Sequence, residues 1–351
     1  MVLVSIDFGE PDYAESLAEL KLLAGGAGLA IRAVVEAKRD RPDAALFVGS
    51  GKADEIAASA QAADAALVIF NHDLSPVQER NLEKRMQCRV LDRTALILDI
   101  FAQRARSNEG KLQVELAQLR HYATRLVRGW SHLERQKGGI GMRGGPGETQ
   151  LELDRRIINA KIKNIEARLA KLGKSRALQG RARRRGGALS VSLVGYTNAG
   201  KSTLLNQLTG STVLAEDALF ATLDTRSRRL YLPSGREAVI TDTVGFIREL
   251  PKDLFDAFRA TFEEAEDADL LLHCVDASDP CYVDQLQTSE ELLLELKLEH
   301  IQRLIVFTKA DRLEESRADA LAAAHDGVAL NALDAACRAP LIARIDAMLP
   351  R

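Results

Sequence analysis

Gly195-Tyr196-Thr197-Asn198-Ala199-Gly200-Lys201-Ser202 follows the apolar run Val191-Ser192-Leu193-Val194 and opens the helix-like stretch STLLNQL. The spacing is GxxxxGK[ST], a loop between a strand and a helix. Its glycines let the backbone curl so that N–H groups point inward, and the helix N-terminus adds a dipole favourable to an anion. Lys201 is then placed to reach the β- and γ-phosphates of a nucleotide, and the Ser202 hydroxyl to ligate Mg2+. Strand, loop and helix in register predict a phosphate-binding α/β domain. The short echo Gly49-Ser50-Gly51-Lys52 lacks the first glycine of the motif at the required spacing and reads as a strand-to-helix turn with a surface lysine.

Working outward, residues 190–194, 237–241, 270–275 and 304–307 read as strands, with helices at 201–209 and about 338–349. The 270–275 and 304–307 runs are almost continuously apolar, as buried parallel strands require. Towards the N-terminus, strands are expected at 3–8, 29–35, 45–48 and 65–70, and helices at 13–24, 52–62 and 76–86, a βαβ rhythm. From Asp92 the pattern turns helical, with Leu112, Leu116, Leu119 and Leu126 suited to one face. A glycine-rich loop spans 137–148, a second long helix about 149–174, and RARRRGG at 181–187 reads as a flexible basic linker. The expected fold class is α/β: a doubly wound, mostly parallel P-loop domain at 188–351, a small α/β domain at 1–103, and a long antiparallel helical hairpin at 104–187 between them.

The chain has 351 residues and a formal net charge of −2, which conceals a strong division. Residues 1–103 carry net −5, residues 104–187 net +14 and residues 188–351 net −11. So cationic a middle segment points to a polyanionic partner. The four cysteines are scattered without metal-ligand spacing, which argues against a zinc site or a disulfide framework and fits a cytoplasmic protein. No apolar run approaches a membrane span, and no secretory signal is expected at the N-terminus.

Three further segments bear on the nucleotide. ITDTVGF (240–246) ends a strand in Asp242-Thr243-Val244-Gly245, where the Asp can hold Mg2+ through water and the Gly245 N–H can sense a γ-phosphate. LFATLDTRSRR (219–229) is long enough for a switch loop whose Thr222 donates an oxygen to Mg2+ when a γ-phosphate holds it. Thr308-Lys309-Ala310-Asp311 follows an apolar strand, and the Asp311 carboxylate can accept two hydrogen bonds from guanine that adenine cannot offer. Asn331-Ala332-Leu333 falls where a base-contacting loop belongs.

These motifs, with LDRTALILDIFAQRA (91–105), GKLQVELAQLR (110–120) and GIGMRGGPGETQLELDRR (139–156), together resemble the HflX family of the translation-factor class of P-loop GTPases. The resemblance covers nearly the whole chain, and its glycine-rich run is the most family-specific part. It implies a GTP hydrolase that works with Mg2+ and couples GTP to splitting, rescue or recycling of ribosomes. It also implies binding to the large ribosomal subunit and its RNA through 104–187. The glycine-rich tip with Arg143, flanked by the lone Trp130, suits entry into a narrow RNA cavity, and the alternative for Trp130 is a cap on the hairpin's apolar seam. The chain is expected to be monomeric when free. Phosphate binding falls to Gly195 through Thr203, the switch to Phe220, Ala221, Thr222, Leu223 and Asp224, and γ-phosphate sensing to Asp242 through Gly245. Guanine recognition falls to Thr308 through Asp311 and Asn331 through Leu333, and Mg2+ to Ser202 and Thr222, with Asp242 through water. Lys201, Thr222 and Gly245 are the expected catalytic groups.

The chain departs from the usual pattern in places. Thr308 replaces an Asn that would bridge base and P-loop, Asn331 replaces a Ser, and Phe246 stands where many GTPases carry a water-orienting Gln. Slow intrinsic hydrolysis with stimulation by ribosomes follows. The small C-terminal extension of some members is expected to be absent. Two other readings stay open: an ATP-driven RNA remodelling protein with a second nucleotide site in its N-terminal domain, and a passive RNA-binding module with a degenerate switch.

Overall fold

A computed structural model describes residues 1–136, 146–185, 189–210, 219–220, 222–248, 251, 254–256 and 265–350. Residues 137–145, including Arg143, residues 186–188 and Ala221 lie outside them, as does the side chain of Trp130. Residues 1–103 with 111–169 form one compact unit, and 104–110 with 170–351 another. The basic segment 104–187 contributes residues to both units.

In the first unit β1 (Val2–Asp7), β2 (Ala33–Lys38), β3 (Leu67–Phe70) and β4 (Arg89–Leu91) form a parallel sheet in the order β2-β1-β3-β4. Val2, Leu3, Val4 and Ile6 are all buried, so β1 has no solvent face and needs cover on both sides. Helices α1 (Tyr13–Gly26), α2 (Ser50–Ala62) and α3 (Pro76–Met86) complete this βα unit. Ser75 and Gln78 cap α3 reciprocally, and Pro76 occupies its first turn.

Two strand expectations change here. Residues 45–48 are a turn: the Asp43 carboxylate accepts the N–H groups of Ala45 and Leu46, each at 2.8 Å, and Phe47 has φ +64°. The side-chain bonds compete with a ladder, and the left-handed residue breaks it. The strand expected from residue 29 begins only at Ala33, and β4 lies just before the helical region.

α4 (Arg93–Arg104), α5 (Asn108–Gln136) and α6 (Pro146–Arg185) carry the basic segment. Leu112, Val114, Leu116, Ala117 and Ile165 are buried, and the Arg120 guanidinium donates to Glu166 at 2.9 Å. These partners stand nearly equidistant from the connection, as antiparallel neighbours do. The 181–185 part of the expected flexible linker is helix, because Arg and Ala propagate one.

The second unit holds a six-stranded sheet in the order β10-β9-β8-β5-β7-β6. β5 (Leu189–Gly195), β7 (Glu237–Asp242), β8 (Leu270–Asp276), β9 (Arg303–Thr308) and β10 (Val328–Ala329) run parallel, and β6 (Arg226–Tyr231) pairs antiparallel with β7. Helices α7 (Lys201–Thr209), α8 (Tyr282–Glu295), α9 (Glu315–Ala324) and α10 (Arg338–Met348) alternate with the strands. The last part of the stretch expected to be a switch loop is thus edge strand. The chain order reverses on either side of β5, and ligands of such sheets bind outside the carboxyl ends of the strands at that point.

Candidate nucleotide site

β5 delivers the P-loop to the reversal point. At Gly195, φ is +135°, and a Cβ would lie 2.2 Å from the Cys274 carbonyl oxygen, so only glycine fits. The loop is paired with the segment after β7: Thr197 N–H donates to the Phe246 carbonyl at 2.7 Å and Phe246 N–H to the Gly195 carbonyl at 3.0 Å. Gly200, at φ +78°, caps α7 in the left-handed conformation. Tyr196 holds the same partner segment from its other end, its phenol oxygen accepting Arg248 N–H at 2.9 Å.

Lys201 is buried, its Nζ donating to the carbonyls of Gly195 (3.0 Å) and Tyr196 (2.6 Å). Burial pulls its pKa down, and the nearby Asp242 carboxylate opposes that pull. Asp242 is itself wholly buried, and burial raises its pKa against Lys201 and the Ser202 and Thr222 hydroxyls. Ser202 Oγ donates to Asp242 Oδ2 at 2.6 Å and lies 2.7 Å from Thr222 Oγ1. The other carboxylate oxygen, Oδ1, is buried without a hydrogen-bond partner among the described residues, as is Thr197 Oγ1. Three oxygens from α7, β7 and the switch segment thus converge beside an orphaned carboxylate oxygen, a donor set of the hard kind that suits Mg2+. Gly245 packs against the P-loop, since a Cβ there would come within 2.8 Å of Thr197 Cα and 3.0 Å of Lys201 Nζ.

The base-side residues also assemble. Thr308 Oγ1 donates towards the carbonyls of Ala199 (2.9 Å) and Val275 (3.1 Å), so a hydroxyl ties this motif to the P-loop without the usual amide. Lys309 forms an ion pair with Asp276 at 2.7 Å. Ala310 N–H donates to the Leu330 carbonyl at 3.2 Å, bringing 308–311 against 331–333, and Asn331 Oδ1 accepts Leu333 N–H at 2.9 Å. Asp311 is exposed, and its carboxylate has no ion pair among the described residues.

Several expected residues serve the scaffold. Thr243 Oγ1 donates to the Leu193 carbonyl at 2.7 Å, and Val244, Phe220, Leu223 and Ala332 are buried. Thr203 lies in the first turn of α7 beside Ser202. Asp224 turns its carboxylate to the N–H groups of Arg106 and Ser107, each at 2.8 Å. Sequence reasoning missed that contact and the Lys309 partner Asp276. A strand-end carboxylate in VDAS was the only signal for the second, and nothing local announces the first.

Three family models match the chain: "GTP-binding GTPase N-terminal" over 14–102, "GTP-binding GTPase Middle Region" over 104–184 and "50S ribosome-binding GTPase" over 190–309. The GTPase HflX of Escherichia coli (strain K12) is 53% identical over 314 residues, covering 90% of this chain and 74% of that protein. The GTPase HflX of Magnetococcus marinus is 49% identical over 298 residues, covering 85% and 69%. Among solved structures, a Sulfolobus solfataricus GTP-binding protein in complex with GDP superposes with a TM-score of 0.53 at 22% identity, over 99% of this chain and 98% of that one. That last likeness speaks for the fold. With the P-loop, the Asp242 cluster and the Asp311 motif assembled at the carboxyl ends of strands of one sheet, the relatives place the chain in the HflX family of ribosome-associated GTPases, enzymes that hydrolyse GTP.

Proposed function

We propose that this GTPase binds the large ribosomal subunit through the basic residues of 104–187 and uses its nucleotide cycle to split or rescue ribosomes in the cytoplasm. The observation that carries the nucleotide half is the Ser202–Thr222–Asp242 cluster, because it joins the P-loop helix, β7 and the switch segment at one point. Ser202 and Thr222 would hold Mg2+ directly and Asp242 through water, and the bound ion would supply positive charge to the phosphate oxygens.

Lys201 supplies positive charge to the β- and γ-phosphates, exchanging its two carbonyl partners for phosphate oxygens. The P-loop N–H groups fix the phosphates, and the Gly245 N–H reports the γ-phosphate. Asp311 accepts the guanine edge, and adenine would leave that carboxylate unpaired. Hydrolysis forms a bond from water to the γ-phosphorus and breaks its bond to the β,γ-bridging oxygen, releasing phosphate and GDP. Phe246 is buried and has no group to orient that water, so the free protein turns over slowly. Ribosome contact supplies the missing order.

On the arm, Arg155, Arg156, Lys161, Lys163, Arg168, Lys171 and Lys174 are exposed along α6, suited to phosphate neutralisation. Tight ribosome binding with GTP and release with GDP requires that the two states differ in affinity. The test is GTP turnover with and without ribosomes, alongside cosedimentation with subunits in GTP-analogue and GDP states. Turnover rises with ribosomes, and only the GTP-analogue state pellets efficiently with the large subunit. Equal turnover, or binding indifferent to nucleotide, would overturn the reading.

A further inference from the structure

The switch segment is fastened at two points, and the second lies outside the nucleotide site. Thr222 faces Ser202, Leu223 is buried, and Asp224 binds the residues that start α5. Its Oδ2 accepts the N–H groups of Arg106 and Ser107, each at 2.8 Å, and its Oδ1 accepts the Ser107 hydroxyl proton. The same Ser107 oxygen accepts Gly110 N–H at 2.8 Å, so it caps the first turn of α5. The carboxylate therefore also gains from the positive end of that helix. Gly110 is buried against the carboxylate: a Cβ there would lie 2.3 Å from Asp224 Oδ1. Ser107, by contrast, is exposed and has no packing reason to be held.

We propose that Asp224 and Ser107 are positioning residues for GTP hydrolysis: their bond holds Thr222 facing Ser202 and Asp242, and makes the start of α5 the handle through which the basic arm acts on the switch. Three backbone bonds, only two of them free to rotate, separate the Cα of the anchored Asp224 from that of Leu223, and the same holds between Leu223 and Thr222. A shift of the α5 first turn is therefore passed to the Thr222 hydroxyl. The coupling is reciprocal, so a nucleotide that holds Thr222 also favours the docked α5 turn. This inference rests on the reading of Thr222 as an Mg2+ ligand given above.

The experiment measures Mg2+ dependence of GTP turnover in the full chain, with GDP affinity in parallel, for wild type, Thr222→Ala, Asp224→Ala, Ser107→Ala, Gly110→Ala, Ser107→Thr and the Ser107→Ala/Asp224→Ala double variant. The Asp224, Ser107→Ala and Gly110 variants raise the Mg2+ concentration for half-maximal turnover by roughly five-fold or more, with GDP affinity unchanged. The double variant raises that concentration no further than Asp224→Ala does, since that change already removes every bond between Ser107 and the switch. Ser107→Thr, which keeps the hydroxyl, restores wild-type behaviour. Impaired Thr222→Ala with wild-type latch variants overturns this inference alone. Wild-type turnover in Thr222→Ala overturns the ligand reading and this inference with it. Equal losses of GTP turnover and GDP affinity in the latch variants reveal a purely structural contact and also overturn it.

Discussion

His273 on β8 and Asp311 after β9 show how differently two polar side chains on one sheet are used. His273 is wholly buried, and neither ring nitrogen finds a hydrogen-bond partner among the described residues. Burial, reinforced by Arg303 and Lys201, holds its pKa down to about 3. The unfolded chain takes up a proton near pH 6.5 that the folded state refuses, so stability is complete above that pH and falls as the pH drops from 6.5 towards 3. The slope from this group approaches ~1.4 kcal/mol per pH unit. Thermal unfolding at pH 7.5 and 5.5 should show that loss, and His273→Leu should reduce it. Asp311 instead is exposed, with no ion pair among the described residues, as the proposed contact with a base requires. Asp311→Asn should weaken GTP binding by roughly 100-fold and shift preference to xanthosine triphosphate, whose 2-oxo group matches an amide donor. Titration with fluorescent GTP and XTP analogues checks this.

At the scale of elements, what could be read depended on how completely each segment is buried. β8 and β9 were legible because their apolar runs are continuous. β6 was not: RSRRLY is an edge strand with one neighbour and only Leu230 buried, so its composition looks like loop. Residues 45–48 looked like strand because their side chains are apolar, whereas Asp43 and the left-handed Phe47 decide their backbone. The docking of α5 was equally hidden. Arg125 on α5 forms ion pairs with Glu79 and with Asp92, whose side chain is buried. Arg125→Met would leave the Asp92 carboxylate buried and unpaired, costing about 3 kcal/mol of stability in the N-terminal unit. Chemical denaturation should show this as a lowered midpoint. Arg125→Met with Asp92→Leu should recover part of the loss, because the stranded charge is then gone.

At the scale of the molecule, charge is the dominant fact: a +14 segment lies in the chain between parts of −5 and −11. Affinity for ribosomal subunits should fall steeply with salt, and neutralising Arg155, Arg156, Lys161 and Lys163 to Gln should weaken binding and reduce the log–log salt slope by about 3. Cosedimentation across a salt series measures both. Among the described residues no helix is long and apolar enough to cross a membrane. The sequence by itself determined the P-loop, the Asp242 and Asp311 motifs, the charge division and the family, because each depends on residue type at fixed local spacing. Only the tertiary structure decided that Thr308 reaches Ala199 by a hydroxyl, that Asp224 faces Ser107, and that the basic segment is shared between two units. Those contacts join residues more than a hundred positions apart, where no local pattern records which partner the chain will bring near.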